Sequence, residues 1–102
     1  MNQSKKAVFI PSDYRSQSRE ISPENGESFT LAELNEFVGG HVEMITFPSG
    51  RMIVINEEGK LNGLPANYFA TKEWLKEFPP EQYQPEDFVV GDAIICDREM
   101  VK

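Results

Sequence analysis

Asparagine, glycine, carboxylate and lysine side chains crowd into twelve consecutive residues, Asn56-Glu57-Glu58-Gly59-Lys60-Leu61-Asn62-Gly63-Leu64-Pro65-Ala66-Asn67. A side-chain amide reads both donors and acceptors on a base or a ribose. Glycine lets a backbone approach a ligand closely, and the free amides at the start of a helix near Asn67 suit an anionic group. The candidate hydrogen-bonding residues are therefore Asn56, Asn62 and Asn67, with the Glu57 carboxylate in the same cluster. Arg51 just upstream and Lys60 within it are candidates to meet a phosphate, and Tyr68 or Trp74 to stack a base. The same residue types also build ordinary turns and helix caps, and taken alone they favour that plainer use.

Other constellations are excluded by count. His41 is the single histidine and Cys96 the single cysteine, so a metal site of His and Cys ligands has at most two members, in different elements. No nucleophile motif surrounds any serine, and His41 follows a helix-ending glycine pair, where an ordinary strand-edge histidine is the heavier reading. Gly39-Gly40 lacks the spacing and the lysine of a phosphate-binding loop. Glu57 and Glu58 alternate direction if extended, so a shared proton is not implied, and the acidic spacing of a calcium loop is missing. Cys96 lies in the apolar run Ala93-Ile94-Ile95-Cys96 and reads as core. No cofactor motif is present, and an enzyme using Glu57 or Glu58 on a nucleotide is the weakest reading.

The elements that must position these residues follow from pattern. Ala7-Val8-Phe9-Ile10 is a short apolar run stopped by Pro11, a first strand. Residues 12–28 are rich in Ser, charge, Pro and Gly and read as a mobile loop or an excursion over a partner. Thr30-Leu31-Ala32-Glu33 has the form of a capping box. Leu31, Leu34, Phe37 and Val38 share the apolar face of the helix that follows, and Gly39-Gly40 ends it. His41 to Phe47 and Arg51 to Asn56, joined by Pro48-Ser49-Gly50, predict a hairpin. Met52-Ile53-Val54-Ile55, apolar on both faces, predicts a central strand.

Asn67 predicts the N-cap of a second helix reaching about Lys76, with Tyr68, Phe69, Trp74 and Leu75 available for packing and Pro79-Pro80 as its stop. Asp87 to Cys96 reads as strand, Gly-Asp kink, strand. The expected fold is a single α+β domain over 1–102, a small antiparallel or mixed β-sheet with two α-helices packed on it.

Length and charge bound the rest. A chain of 102 residues has room for one modest core, so self-association would help it. Lys5, Lys6, Arg15 and Arg19 balance Asp13, Glu20, Glu24 and Glu27, which leaves the formal charge of −7 in residues 29–102. That field repels a phosphate backbone, so a nucleic-acid polymer is not expected as partner. One cysteine gives no support to secretion, and no run approaches membrane-spanning length. The expected compartment is the cytoplasm.

Three stretches carry a family resemblance. Phe29-Thr30-Leu31-Ala32-Glu33-Leu34 with Val38-Gly39-Gly40 is the first. Val54-Ile55-Asn56-Glu57-Glu58-Gly59-Lys60-Leu61 with Gly63-Leu64-Pro65-Ala66-Asn67 and Ala70 is the second, and Phe88-Val89-Val90-Gly91-Asp92-Ala93-Ile94-Ile95 the third. In this order they resemble a small phage and plasmid family, the domain of unknown function 3846, over roughly residues 29–97. The resemblance implies a compact α+β domain of a phage or mobile element in a bacterial host, and it brings no catalytic residues.

Accessory proteins of this kind commonly counter host defence. The expectation is a non-enzymatic module, a homo-oligomer, that sequesters a small nucleotide-type signal. The alternative is an acidic inhibitor of a host protein with residues from Glu73 to Asp87 as its contact surface, where Glu77, Glu81, Glu86 and Asp87 are set among Phe78 and Tyr83.

Overall fold

The Thr30-Glu33 segment forms the predicted capping box. In the computed structural model, which describes residues 6–13, 15–78 and 88–101, the Thr30 hydroxyl accepts from the Glu33 amide at 3.1 Å. Glu33 Oε1 accepts from the Thr30 amide at 2.8 Å. These bonds satisfy amides that a helix start leaves unpaired. Helix α1 (Leu31–Val38) follows, and Gly39 closes it with a φ of 77°, a left-handed conformation open to a residue without Cβ.

α1 buries Leu34 and Val38 and half-buries Phe37. Leu31, expected on the same inner face, is exposed instead. The first turn is held by its cap and by the Glu24 amide, which donates to Glu33 Oε2 at 2.8 Å, rather than by burial.

The predicted hairpin is strands β3 (Val42–Thr46) and β4 (Arg51–Asn56). Its turn is closed by the Phe47 amide on the Arg51 carbonyl and the Gly50 amide on the Phe47 carbonyl, at 2.7 and 2.9 Å. With β1 (Ala7–Ile10), β2 (Arg19–Ile21) and β5 (Ala93–Asp97) they form a five-stranded sheet in the order β2-β1-β5-β4-β3, antiparallel throughout. β4 is interior, as its apolar run predicted, with Met52, Ile53 and Val54 all buried.

Alternation sorts the strands onto two faces. On one face Ala7, Met52, Val54, Ile94 and Cys96 pack against Leu34 and Val38 of α1, together with Phe29 and Met100. On the other, Ile10, Ile53, Ala93 and Ile95 pack with Phe47 and Val89 against helix α2 (Tyr68–Glu77). A 3-10 turn, Arg98–Met100, follows β5.

Three expectations change. Residues 12–28 do not form an uninterrupted loop, because Arg19–Ile21 pairs with β1 as an edge strand, an assignment that the charge and serine of the stretch hid. Phe88 to Asp92 does not form a strand of the sheet. Val90 makes one antiparallel bridge to Ala66, and the regular strand begins at Ala93. Tyr68, Phe69 and Leu75 of α2 are exposed, whereas Ala70 is buried and Trp74 and Phe78 are half-buried. Spacing of four positions, from Ala70 to Trp74 to Phe78, defines the inner row. Pro79-Pro80 lie outside the described residues.

Candidate functional site

Asn67 is wholly buried and its amide is spent on the fold. Nδ2 donates to the carbonyls of Ile10 and Gly91, both at 2.9 Å, and Oδ1 accepts from the Ala70 amide at 3.0 Å. The residue therefore caps α2 while tying the end of β1 to the segment before β5. Thr71 adds to the junction: its hydroxyl donates to the Asn67 carbonyl at 2.8 Å and accepts from the Val89 amide at 2.9 Å. Asn67, expected to bind a ligand, has no donor left to offer one.

Asn56 is buried too. Its Nδ2 donates to the Val38 carbonyl at 3.1 Å and its Oδ1 accepts from the Glu58 amide at 2.8 Å, so it joins the end of α1 to the turn after β4. That turn is compact: the Glu57 amide donates to the His41 carbonyl, Asn62 to Glu58 and Leu64 to Gly59. Gly59 is needed for packing, since a Cβ there would stand 2.8 Å from Val90 Cγ2. Much of the unusual texture of residues 56–67 is thus accounted for by turn, cap and close approach.

α2 cannot cover its face of the sheet. A helix is about 10 Å across, while five strands span roughly 20 Å. A hollow remains on each side of it. The first, about 210 Å³, opens towards β3 and β4 and gathers Asn56, Glu57, Lys60 and Trp74 from the expected set. Glu43 and Phe88 complete its rim, and Ile45, Ile55, Val89 and Val90 line it with apolar surface.

The Lys60 ammonium stands 5.0 Å from the centroid of the Phe88 ring. Trp74 sits in an aromatic cluster with Phe47 and Phe78, at centroid distances of 6.3 and 5.0 Å. Its buried indole N–H makes no hydrogen bond among the described residues. A buried donor left in this state costs about 1–3 kcal/mol, so the Trp74 indole is a wall group with unmet bonding capacity.

The remaining expected residues lie elsewhere. Arg51, at the opposite end of β4 from Asn56, borders the second hollow on the far side of α2. Tyr68 is exposed, with its ring 5.3 Å from that of Phe69, and Asn62 is exposed on the turn. Of the acidic surface considered for a protein partner, Glu81, Tyr83, Glu86 and Asp87 lie outside the described residues. Glu77 accepts from the Ser49 hydroxyl at 3.1 Å, and Phe78 packs on Phe47.

Glu43 and Phe88 were not anticipated. The hairpin register sets Glu43 opposite Ile55 on the α2 face, a signal available once the hairpin is read. Phe88 arrives only through the long-range return of the chain.

Cys96 is buried on the α1 face of the central strand β5, and desolvation, aided by the neighbouring Asp97, pushes its thiol up to about 11. Among the described residues no group of three or more His, Cys, Asp or Glu is placed to hold a metal ion, and no helix is long and apolar enough to cross a membrane. Comparison with curated proteins and with solved structures gives no match. Residues 5–100 match a family whose description is Domain of unknown function (DUF3846).

Proposed function

This chain belongs to the DUF3846 family across nearly its whole length, and on that premise we propose a non-enzymatic module of a phage or mobile element that holds a small nucleotide-type signal out of circulation in the bacterial cytoplasm. The observation carrying this reading is the first hollow, where Trp74 with its unmet N–H, Phe88 and Lys60 converge with two carboxylates. Aromatic walls suit a ring, and Glu43 and Glu57 suit the amino and hydroxyl donors of a base and ribose.

The volume of about 210 Å³ is below the roughly 300–1,000 Å³ of sites for drug-sized ligands. It takes a nucleoside portion and leaves phosphate at the rim, near Lys60. Self-association of copies belongs to the same proposal.

Trp74 is the single tryptophan, so its fluorescence reports this hollow directly. Titration with nucleoside monophosphates and cyclic dinucleotides is expected to give saturable quenching by a subset, with the ligand recovered chemically unchanged. A native mass spectrum of the complex gives its stoichiometry and the number of copies. A flat signal across the panel overturns the reading and turns the search to a host protein. An altered ligand replaces binding with catalysis.

A further inference from the structure

We propose that the second hollow, on the opposite side of α2, is a separate site for a small organic phosphate. It encloses about 330 Å³ between α2 and the β1 side of the sheet. Val8, Ile10 and Ile95 form its apolar floor, and Arg51, Lys72 and Lys76 stand around it. In a chain of formal charge −7, cations outnumber carboxylates here, because Glu73 is the one acidic residue in the lining. Glu73 is itself engaged by Lys76, at 3.1 Å.

Among the described residues no carboxylate comes within ion-pair distance of Arg51 or Lys72. Asp97 is opposite Arg51 in the register of β4 and β5, on the neighbouring strand and outside the lining. The Lys72 ammonium rests 5.6 Å from the Tyr68 ring centroid.

Three cations and one carboxylate leave an excess of positive charge around the hollow, which an anion would balance. Lys72 and Lys76 are four positions apart, on one helix face, where like charges repel. Arg51, half-buried, faces these exposed lysines across the apolar floor, and salt screens their mutual repulsion in part. A phosphate relieves that repulsion: the guanidinium fork receives two of its oxygens, and the ammonium groups act as point charges beside it.

The apolar floor and the partly exposed Phe69 at the wall then select a phosphate with a ring or hydrocarbon portion over the bare ion. Ser18 offers a hydroxyl from the β2 side. The net acidic field disfavours long polyanions and anionic membranes, so the fitting ligand is a small free molecule.

This inference does not depend on the Trp74 hollow, and its test separates the two. Calorimetric titration with phenyl phosphate, inorganic phosphate and benzyl alcohol is expected to rank them in that order of affinity, with phenyl phosphate binding weakening as salt rises. The surface variants Lys72→Gln and Lys76→Gln, and Arg51→Gln with them, should lower phenyl phosphate affinity by about tenfold or more when combined. Their thermal melts confirm a folded protein, and Lys72→Gln with Lys76→Gln alone serves if Arg51→Gln disturbs β4.

Trp74→Phe should leave phenyl phosphate binding unchanged. Equal affinity for phenyl phosphate and inorganic phosphate overturns the proposal, as does affinity insensitive to loss of the cations. A loss with Trp74→Phe instead assigns the anion to the first hollow and overturns it as well.

Discussion

Replacing Asn67 with alanine removes two donors and one acceptor at once, and it strands the carbonyls of Ile10 and Gly91 in a dry interior. A helix cap alone is worth about 1 kcal/mol, but two buried carbonyls without donors add to it. Asn67→Ala is therefore expected to cost roughly 3–5 kcal/mol, read as a shift in the urea midpoint. Asn67→Asp keeps the acceptor for Ala70 and removes both donors, so most of the loss should persist. An unchanged midpoint in both variants would return Asn67 to the list of ligand contacts.

The asparagine, as a residue that matters, was visible from sequence because it precedes a helix pattern. Its second duty was not, since Ile10 lies 57 positions away and no local signal announces that pairing. Asn56 and Gly59 repeat the lesson. Their chemistry suggested a ligand, and their neighbours Val38 and Val90, known only from the fold, explain them as packing.

At the scale of elements, α1 and the β3–β4 hairpin were legible because their determinants are local: a cap, a glycine stop, a tight turn. The Glu33 carboxyl is held below its usual range by the Thr30 amide first and the Glu24 amide second, with the Thr30 hydroxyl contributing. A carboxyl with a lowered folded pKa stabilises the native state above its unfolded value, near 4.3, and that stability is lost as pH falls through the folded value. α1 should thus loosen on acidification below about pH 4.3, followed by helical circular dichroism or amide exchange in Asn35–Val38. Glu33→Gln, which cannot ionise, should flatten that part of the acid profile. Identical acid slopes for both proteins would remove Glu33 from the account.

α2 was legible in extent and only in part in orientation. Trp74 packs as expected, but Tyr68 and Phe69 are exposed, because Asn67 fixes where the helix begins and hence which row meets the sheet. β2 was invisible because charge and serine mask its stretch, and the Ala66–Val90 bridge because its two partners lie 24 positions apart.

For the whole molecule, the governing feature is that β5 stands at the centre of the sheet, with β1 on one side and β4 on the other. The Ser12 amide donates to the Asp92 side chain across 80 positions of sequence. A chain ending at Asp92 should therefore lack the cooperative melt of the intact protein and be cleaved rapidly by protease, and a peptide of residues 93–101 should restore protection. Retention of a cooperative melt by the shortened chain would show that the two halves of the sheet hold without β5.

The same placement has a consequence for synthesis. On the ribosome β1 and β2 leave first, then the β3–β4 hairpin, and neither has its central neighbour until residues 93–97 clear the exit tunnel. Through that interval both pieces carry bare strand edges, the surfaces through which nascent chains join one another. Chaperone cover between the emergence of the hairpin and that of β5 then governs the yield of folded protein as much as its final stability does.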